Sequence, residues 1–313
     1  MSQEFTPNDH DNFIRLVKEL RDSAEQKRLD QVNHFQASVL VFDTNFKELK
    51  DTLLFHNDHR QSQSLWKVEN RQLLHAYQLN VTRLLHNFVA SAQSLIDHTR
   101  FFYRKLYEPD NLFPDYQEEI RKRFLKHTLS CFIKDLRQYA QHYQVPSLSS
   151  SLRYERGKPD FEVSMNMDKN DLLEFSGWKA NSKTFLADSD DKIDVLKLFQ
   201  EYHTHIMSFQ SWFSEKQKEI HKNDFAYVSL MKSKLKKNEL GKFVKSMIKS
   251  PKSIEEIEEE LRRYYPEDEM KTVDQASSVL EKIKALITLL KNDSEISEEL
   301  KDGLDKDYDV SSI

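Results

Sequence analysis

Glycine and proline are scarce in this chain, which has 4 Gly and 7 Pro in 313 residues. These residues supply most tight turns, so their scarcity argues against a many-stranded β fold and favours long helices. Cysteine occurs once, at Cys131, which excludes disulfide bonds within the chain and zinc sites built from several of its own thiolates. Because Cys131 lies in an apolar helical run, we expect it to be buried.

Long apolar runs are also lacking. No stretch approaches the roughly 18 apolar residues that a membrane-spanning helix requires, and the opening segment MSQEFTPNDHDNFIRLV has no basic region followed by an apolar one. We therefore expect a cytoplasmic protein without a membrane partner. A net charge of −5 provides no general attraction to nucleic acid, so contact with RNA requires a local basic patch.

Recognisable metal-binding motifs are absent from the sequence. His56 and His59 flank Asp58, but neither an HExxH pattern nor a Cys-His spacing occurs. We interpret these histidines as surface residues of a polar turn, and we predict no metal and no cofactor. Phosphate-cradling glycine loops, nucleophile elbows and paired-carboxylate motifs are absent as well.

Two long amphipathic segments dominate residues 73–143. In the first, apolar residues recur every three or four positions and predict a helix with one buried side. The second runs from about Tyr116 to Tyr143 and is closed by Pro146. Together with the composition, this periodicity predicts an all-α multi-helix bundle with long amphipathic helices.

A polar face accompanies the apolar side of the first segment. It carries Arg83, Asn87, Ser91, Ser94 and His98 at helical spacing. A solvated surface more often carries Lys and Glu, so we interpret this face as packed against a partner helix or a substrate. An ordinary semi-exposed face is the alternative.

The second segment ends in an arginine and a histidine, within Arg137-Gln138-Tyr-Ala-Gln-His142. Cleaving RNA beside a 2′-hydroxyl needs a group that exchanges protons near neutral pH and a permanent cation that holds the phosphate. Histidine and arginine supply these two functions. Five residues on a helix span about 140° of rotation and about 7.5 Å, so one pair does not enclose a phosphate alone. The alternative is an Arg and a His that stabilise a helix end.

This segment resembles the signature of the HEPN family, in which an arginine and usually a polar residue precede a histidine by four to six intervening positions. Gln138 takes the place where many members carry asparagine. Two further pairs in the chain have an allowed spacing without the same helical context: Arg28 with His34, and Arg121 with His127.

The resemblance covers about residues 70–220 and implies a metal-independent ribonuclease whose active sites form at a homodimer interface. It implies that His142 is the general acid/base and Arg137 the phosphate holder, with Gln138, Asn87 and His98 as supporting residues. By analogy, the protein is a toxin or a phage-defence effector. Because many HEPN-like proteins are not catalytic, a helical protein-interaction module or partner subunit is the alternative.

Beyond Pro146 the pattern alternates and predicts a small β-hairpin insertion at 151–168, with a turn at 157–160. An acidic cluster at 188–191 is expected to cap a long helix whose aromatic stripe belongs to the core. We divide the chain into three parts: N-terminal helices at 1–60, a HEPN-like helical bundle at 61–222 and a helical C-terminal extension at 223–313.

A lysine-rich segment opens the C-terminal extension. Residues 229–252 carry eight lysines and one acid, and we predict that they follow an RNA backbone through Lys232, Lys234, Lys236, Lys237, Lys242 and Lys245. A solvated helical face is the alternative, and a nucleic-acid-binding regulator is a further functional reading. Residues 254–313 carry 18 acids and 8 bases, so this part can fold back on the lysines or serve as an arm for dimerisation or a protein partner.

Overall fold

The structure is a computed structural model that describes residues 7–153, 162–250, 252–293, 296 and 298–307. The helices in these ranges are α1 Pro7–Asp22, α2 Ala24–Asn57, α3 His59–Ser62, α4 Arg71–Leu106, α5 Tyr116–Phe124, α6 Thr128–His142, α7 Lys169–Leu173, α8 Ala180–Asp188, α9 Val195–Ile220, α10 Lys222–Lys249, α11 Ile254–Leu261, α12 Glu267–Asp274, α13 Val279–Asn292 and α14 Glu298–Asp307. The strands are β1 Leu148–Arg153, β2 Glu162–Asp168 and β3 Lys192–Asp194. The structure is 78% helical, which confirms the predicted all-α bundle with a small β insertion.

The second amphipathic segment is two helices, so its predicted continuity is wrong. The break falls between Phe124 and Thr128, where His127 has an extended backbone and caps α6. Its Nδ1 accepts a hydrogen bond from the backbone N–H of Ser130 at 3.3 Å. Capping of this kind satisfies a free amide at the start of a helix, and it starts α6 afresh.

The acidic cluster at 188–191 does not cap the long helix, contrary to the sequence-based prediction. Residues Lys192–Asp194 form strand β3 instead, and Asp194 is the residue that caps α9. Its Oδ1 accepts a hydrogen bond from the backbone N–H of Lys197 at 2.9 Å.

The β insertion is a three-stranded antiparallel sheet in the order β1-β2-β3. Leu148 pairs with Met167 at one end of the β1–β2 ladder, and Arg153 pairs with Glu162 at the other. The predicted turn at 157–160 lies outside the described residues. Strand β3 lies along the other edge of β2, so the predicted hairpin gains a third strand.

The chain divides into two compact units, Asp30–His221 and Met1–Leu29 with Lys222–Ile313. The first contains most of the predicted bundle, together with most of α2. The boundary after His221 lies one residue from the predicted division at 222/223, whereas the predicted boundary at 60/61 falls inside the first unit.

The core of Asp30–His221 is formed largely by aromatic side chains of α2, α4, α6 and α9. The aromatic stripe of α9 is buried, as its helical spacing indicated. Phe42 of α2 stacks on Phe88 of α4 at 5.1 Å, and Phe199 of α9 meets Phe88 edge-on at 5.3 Å. Such ring pairs add to the free energy gained by burying their surface.

The other unit has its own apolar core, in which α10 packs with helices of the C-terminal extension. Leu240 and Val244 of α10 are buried with Leu261 of α11 and Leu290 of α13. In this unit the acidic extension does fold onto the lysine-rich helix. Within the described residues, no helix has both the length and the apolar character that crossing a membrane requires.

Candidate functional site

Helix α6 brings Arg137 and His142 to one cavity. Its apolar side, which includes Phe132, Leu136 and Tyr139, is buried in the core. Arg137 is half-buried beside this side, while His142 is exposed at the last residue of the helix. Both residues line a cavity of about 200 Å³. The structure therefore places the two residues of the motif around a common space.

We call this space the cationic cavity, because three cationic side chains line it. The residues that form it are Gln93, Lys134, Asp135, Arg137, Gln138, His142 and Lys179. Two of the predicted site residues, Arg137 and His142, are joined here by Gln138, which was predicted to support them. One carboxylate accompanies the three cations, so the lining has an excess of positive charge suited to an anion.

The guanidinium group of Arg137 has free hydrogen-bonding capacity. Its Nε is buried and makes no hydrogen bond to any part of the chain that the structure describes. A buried donor without an acceptor is unfavourable, and a guanidinium presents its donors in a fixed fork that matches a phosphate. The group is thus suited to binding an anion from solution.

The carboxylate of Asp135 is already engaged with α8. It is buried, and its Oδ2 accepts hydrogen bonds from the backbone N–H of Lys179 at 3.0 Å and from the Ser182 hydroxyl at 2.7 Å. These contacts provide an acceptor for two hydrogen-bond donors at the start of α8, where a negative charge is favourable. Asp135 consequently fixes the backbone of Lys179 at the cationic cavity.

Asn87 and His98 lie elsewhere on α4. Both are exposed, and neither lines the cationic cavity. The α4 residue that does line it is Gln93, which lies about 120° around the helix from Asn87 and about 140° from His98. The Nδ1 of His98 is hydrogen-bonded to the Ser38 hydroxyl of α2 at 2.8 Å. The polar face of α4 therefore meets a partner helix at this point.

The two other Arg-His pairs have different contacts. Arg28 forms a two-pronged ion pair with Asp224, with its Nη2 2.6 Å from Oδ1 and its Nε 2.9 Å from Oδ2. His127 is the cap of α6, and Arg121 donates from Nε to the backbone carbonyl of Gln117 at 3.3 Å.

The six predicted RNA-binding lysines divide into two groups. Lys236 is 3.2 Å from the Asp293 carboxylate and lies over the Tyr265 ring at 4.5 Å, and Lys242 lies over the Phe13 ring at 4.7 Å. Those two are engaged inside their own unit. The exposed members of the predicted set are Lys232, Lys234, Lys237 and Lys245.

The histidines near residue 57 are not both surface groups, which corrects the interpretation from the sequence. His56 is fully buried, and its ring nitrogens are hydrogen-bonded to Ser150 Oγ at 3.0 Å and Asn57 Oδ1 at 3.1 Å. Burial lowers the pKa of His56. Across the described residues, no group of three or more His, Cys, Asp or Glu side chains is arranged to hold a metal ion.

Gln93, Lys134, Asp135 and Lys179 line the cationic cavity without having been singled out from the sequence. For Lys134 a signal was present, because Lys134, Gln138 and His142 follow one another at four-residue steps on one helical face. Lys179 comes from the start of another helix, and no spacing along the chain connects it to Arg137. Its position depends on tertiary contact with Asp135.

No known family model matches this sequence, and neither the curated proteins nor the solved structures contain a match to it. These comparisons neither support nor contradict the resemblance to the HEPN family, which depends on the segment from Arg137 to His142.

Proposed function

We propose that the protein is a metal-independent endoribonuclease of HEPN type that holds the scissile phosphate in the cationic cavity. The observation that carries the proposal is that Arg137 and His142 line one cavity with Lys134 and Lys179. The Nε of Arg137 has no partner among the described residues, so the guanidinium keeps hydrogen-bonding capacity for a phosphate. Three cations around one small space favour a group that carries negative charge and gains more of it during reaction.

In the proposed reaction, His142 removes the proton of a 2′-hydroxyl, and that oxygen attacks the adjacent phosphorus. The bond from phosphorus to the 5′ oxygen breaks as the new bond forms. Arg137 and Lys134 stabilise the negative charge that develops on the phosphate oxygens. The departing 5′ oxygen takes a proton from solvent water, and His142 returns the proton it removed to the solvent, so the transesterification consumes no water and no cofactor overall. Its products are a 2′,3′-cyclic phosphate and a 5′-hydroxyl.

The remaining parts of the proposal come from the resemblance and from charge. A homodimer and a role as a toxin or phage-defence effector are what the HEPN resemblance adds. Within one chain, Lys134 and Lys179 add positive charge to that of Arg137, so residues other than the Arg-His pair also contribute to binding the phosphate. The exposed lysines Lys232, Lys234 and Lys237 provide a further surface that attracts RNA. The C-terminal extension is the proposed contact for a protein partner.

The experiment is incubation of the purified protein with an unstructured RNA in EDTA, followed by analysis of product ends. We expect cleavage, 2′,3′-cyclic phosphate ends, and no cleavage of a strand with 2′-deoxyribose throughout, because that strand lacks the nucleophile. Binding of RNA without any cleavage by a folded preparation would contradict the proposal and favour a non-catalytic binding module.

A further inference from the structure

A second cavity adjoins the cationic cavity. It has a volume of about 310 Å³ and shares Gln93 and Lys134 with its neighbour. We call it the aromatic cavity, because Tyr116, Phe124 and Phe209 are among the residues that line it. Its size lies at the lower end of the roughly 300–1,000 Å³ found for small-molecule sites. The shared residues make the two cavities neighbours along α4 and α6.

The two cavities lie one after the other along helix α6. Cys131 and Lys134 line the aromatic cavity, while Lys134, Asp135, Arg137, Gln138 and His142 line the cationic one. At about 1.5 Å of rise per residue, Cys131 and His142 are about 16 Å apart along the helix axis, with Lys134 between them. Cys131 is only half-buried, so the expectation that it is buried is wrong.

Gln210 lines the aromatic cavity and has a buried hydrogen-bond acceptor. The hydroxyl of Thr99 donates to the Leu95 carbonyl at 2.7 Å, and it therefore accepts the 3.3 Å hydrogen bond from Gln210 Nε2. This arrangement orients the carboxamide and leaves Oε1 without a partner among the described residues. Gln210 is 6% exposed, so the acceptor is shielded from bulk water.

Tyr116 lines the same cavity and has a second buried polar atom. It is 3% exposed, and its hydroxyl has no hydrogen-bond partner in the described part of the chain. Burial raises the pKa of Tyr116 to about 12, so the hydroxyl keeps its proton near neutrality and can donate it. The ring stacks on Tyr103 at 3.8 Å, which fixes its plane.

We propose that the aromatic cavity binds a nucleobase of the RNA strand whose phosphate occupies the cationic cavity. This inference rests on the proposed function and adds a base-binding site to it. The edge of a nucleobase carries N–H donors beside acceptors, which suits Gln210 Oε1 and the Tyr116 hydroxyl when these two wall residues turn toward the ligand. Its face stacks on aromatic rings, as unpaired bases do in RNA-binding proteins. An entirely apolar ligand would leave both polar atoms unpaired.

The charge at the aromatic cavity also suits a nucleotide. Arg100, Arg121 and Lys134 line it, and all three are exposed. Lys134 lies where the two cavities meet, so its ammonium group can neutralise the phosphate that joins a base in one cavity to the strand passing through the other.

The experiment is calorimetric titration of the full chain with four probes: a nucleoside 3′-monophosphate of each base, the corresponding nucleosides, ribose 5-phosphate and inorganic phosphate. We expect at least one nucleoside 3′-monophosphate to bind about tenfold or more tightly than ribose 5-phosphate and inorganic phosphate, because base stacking contributes to its affinity. Equal affinities for all the phosphates would overturn the base site.

Two variants and a matched control test whether the tighter binding of the nucleotide depends on the aromatic cavity. Gln210→Leu and Tyr116→Phe each remove an unpartnered polar atom, so both should fold, and each should remove most of the advantage of the nucleotide over inorganic phosphate. Gln217 is the control, because it is also a buried glutamine of α9 with an unpartnered Oε1, yet it is not among the residues that line either cavity. Gln217→Leu should bind nucleotides as the wild type does. If both cavity variants bind as the wild type does, the base site is wrong.

The same titrations separate this inference from the proposed function. Arg137→Ala should lower the affinity for inorganic phosphate and leave the affinity for nucleosides unchanged. If nucleosides bind but inorganic phosphate does not, the base site stands and the phosphate site fails. If RNA is cleaved but nucleotides bind no more tightly than phosphate, the ribonuclease stands and the base site fails.

Discussion

The Asp135 carboxylate accepts a hydrogen bond from the backbone N–H of Lys179 at 3.0 Å, which joins the middle of α6 to the start of α8. Lys179 and Arg137 reach the same cavity through this contact. The cationic cavity is therefore assembled by tertiary structure, although its two central residues belong to one helix.

Asp135→Asn should reduce both stability and function. The asparagine side chain keeps the size of aspartate but loses the charge that favours the start of α8, so we expect the free energy of unfolding to fall by about 1–3 kcal/mol. Urea denaturation provides the measurement. The exposed Asp110 serves as control, since Asp110→Asn should change stability by less than about 0.5 kcal/mol. Equal stability of Asp135→Asn and the wild type would contradict the structural role of Asp135.

Lys179→Ala should weaken RNA binding more than it slows the chemical step. Removing one phosphate contact from a single-stranded complex lowers the dependence of log K on log salt concentration by about 0.7. We expect the KM to rise about fivefold or more, with a smaller change in kcat. Lys183 is the matched control, because it is an exposed lysine of α8 that does not line the cationic cavity. If Lys179→Ala and Lys183→Ala behave alike, Lys179 does not contact the phosphate.

Acidification below neutrality should destabilise the unit Asp30–His221 through four of its buried or half-buried histidines, namely His56, His127, His203 and His205. Burial lowers the pKa of each below its ordinary value of 6.5. The unfolded chain then binds more protons than the folded chain below about pH 6.5, so stability rises with pH in that range and is lost as pH falls through the folded pKa values. Thermal unfolding at pH 5.5 and pH 7 measures the effect. A Tm that is equal at both, or higher at pH 5.5, would contradict it.

Replacement of the exposed lysines of α10 should weaken RNA binding without altering the products. The triple variant Lys232→Ala, Lys234→Ala, Lys237→Ala removes charges whose attraction is not specific for sequence, so affinity should fall most at low salt. Filter binding across a salt series measures this. A control replacement at the exposed Lys271 of α12 should have little effect. Unchanged affinity and salt dependence in the triple variant would remove α10 from the RNA-binding surface.

The helical class was predictable from the sequence because it depends on local periodicity and on few turn residues. The break between α5 and α6 was not, since the apolar spacing continues across it and the side-chain contact of His127 with the Ser130 amide decides the boundary. Strand β3 is three residues long, too short for an alternating pattern, and it exists through its pairing with β2.

The candidate site was predictable only where its residues share α6. Arg137, Gln138 and His142 are close in sequence, so their common cavity follows from helical geometry. Asn87 and His98 also repeat at helical spacing, but spacing alone does not say which side of α4 faces α6. Gln93 and Lys179 reach the cavity through the packing of α4 and α8 with α6, which no pattern along the chain encodes.

The central claim is tested most directly by the rate of RNA cleavage in EDTA for His142→Ala and Arg137→Lys, each beside a matched control. His75→Ala replaces another exposed histidine, and Arg83→Lys replaces an exposed arginine of α4 whose contact is with Asn80. We predict that both site variants remain folded. The cleavage rate should fall about 100-fold or more in His142→Ala. It should fall at least about tenfold in Arg137→Lys, because lysine lacks the guanidinium fork. The controls should cleave at the wild-type rate. Cleavage by the site variants at the rate of their controls would contradict the assignment of the cationic cavity as the active site.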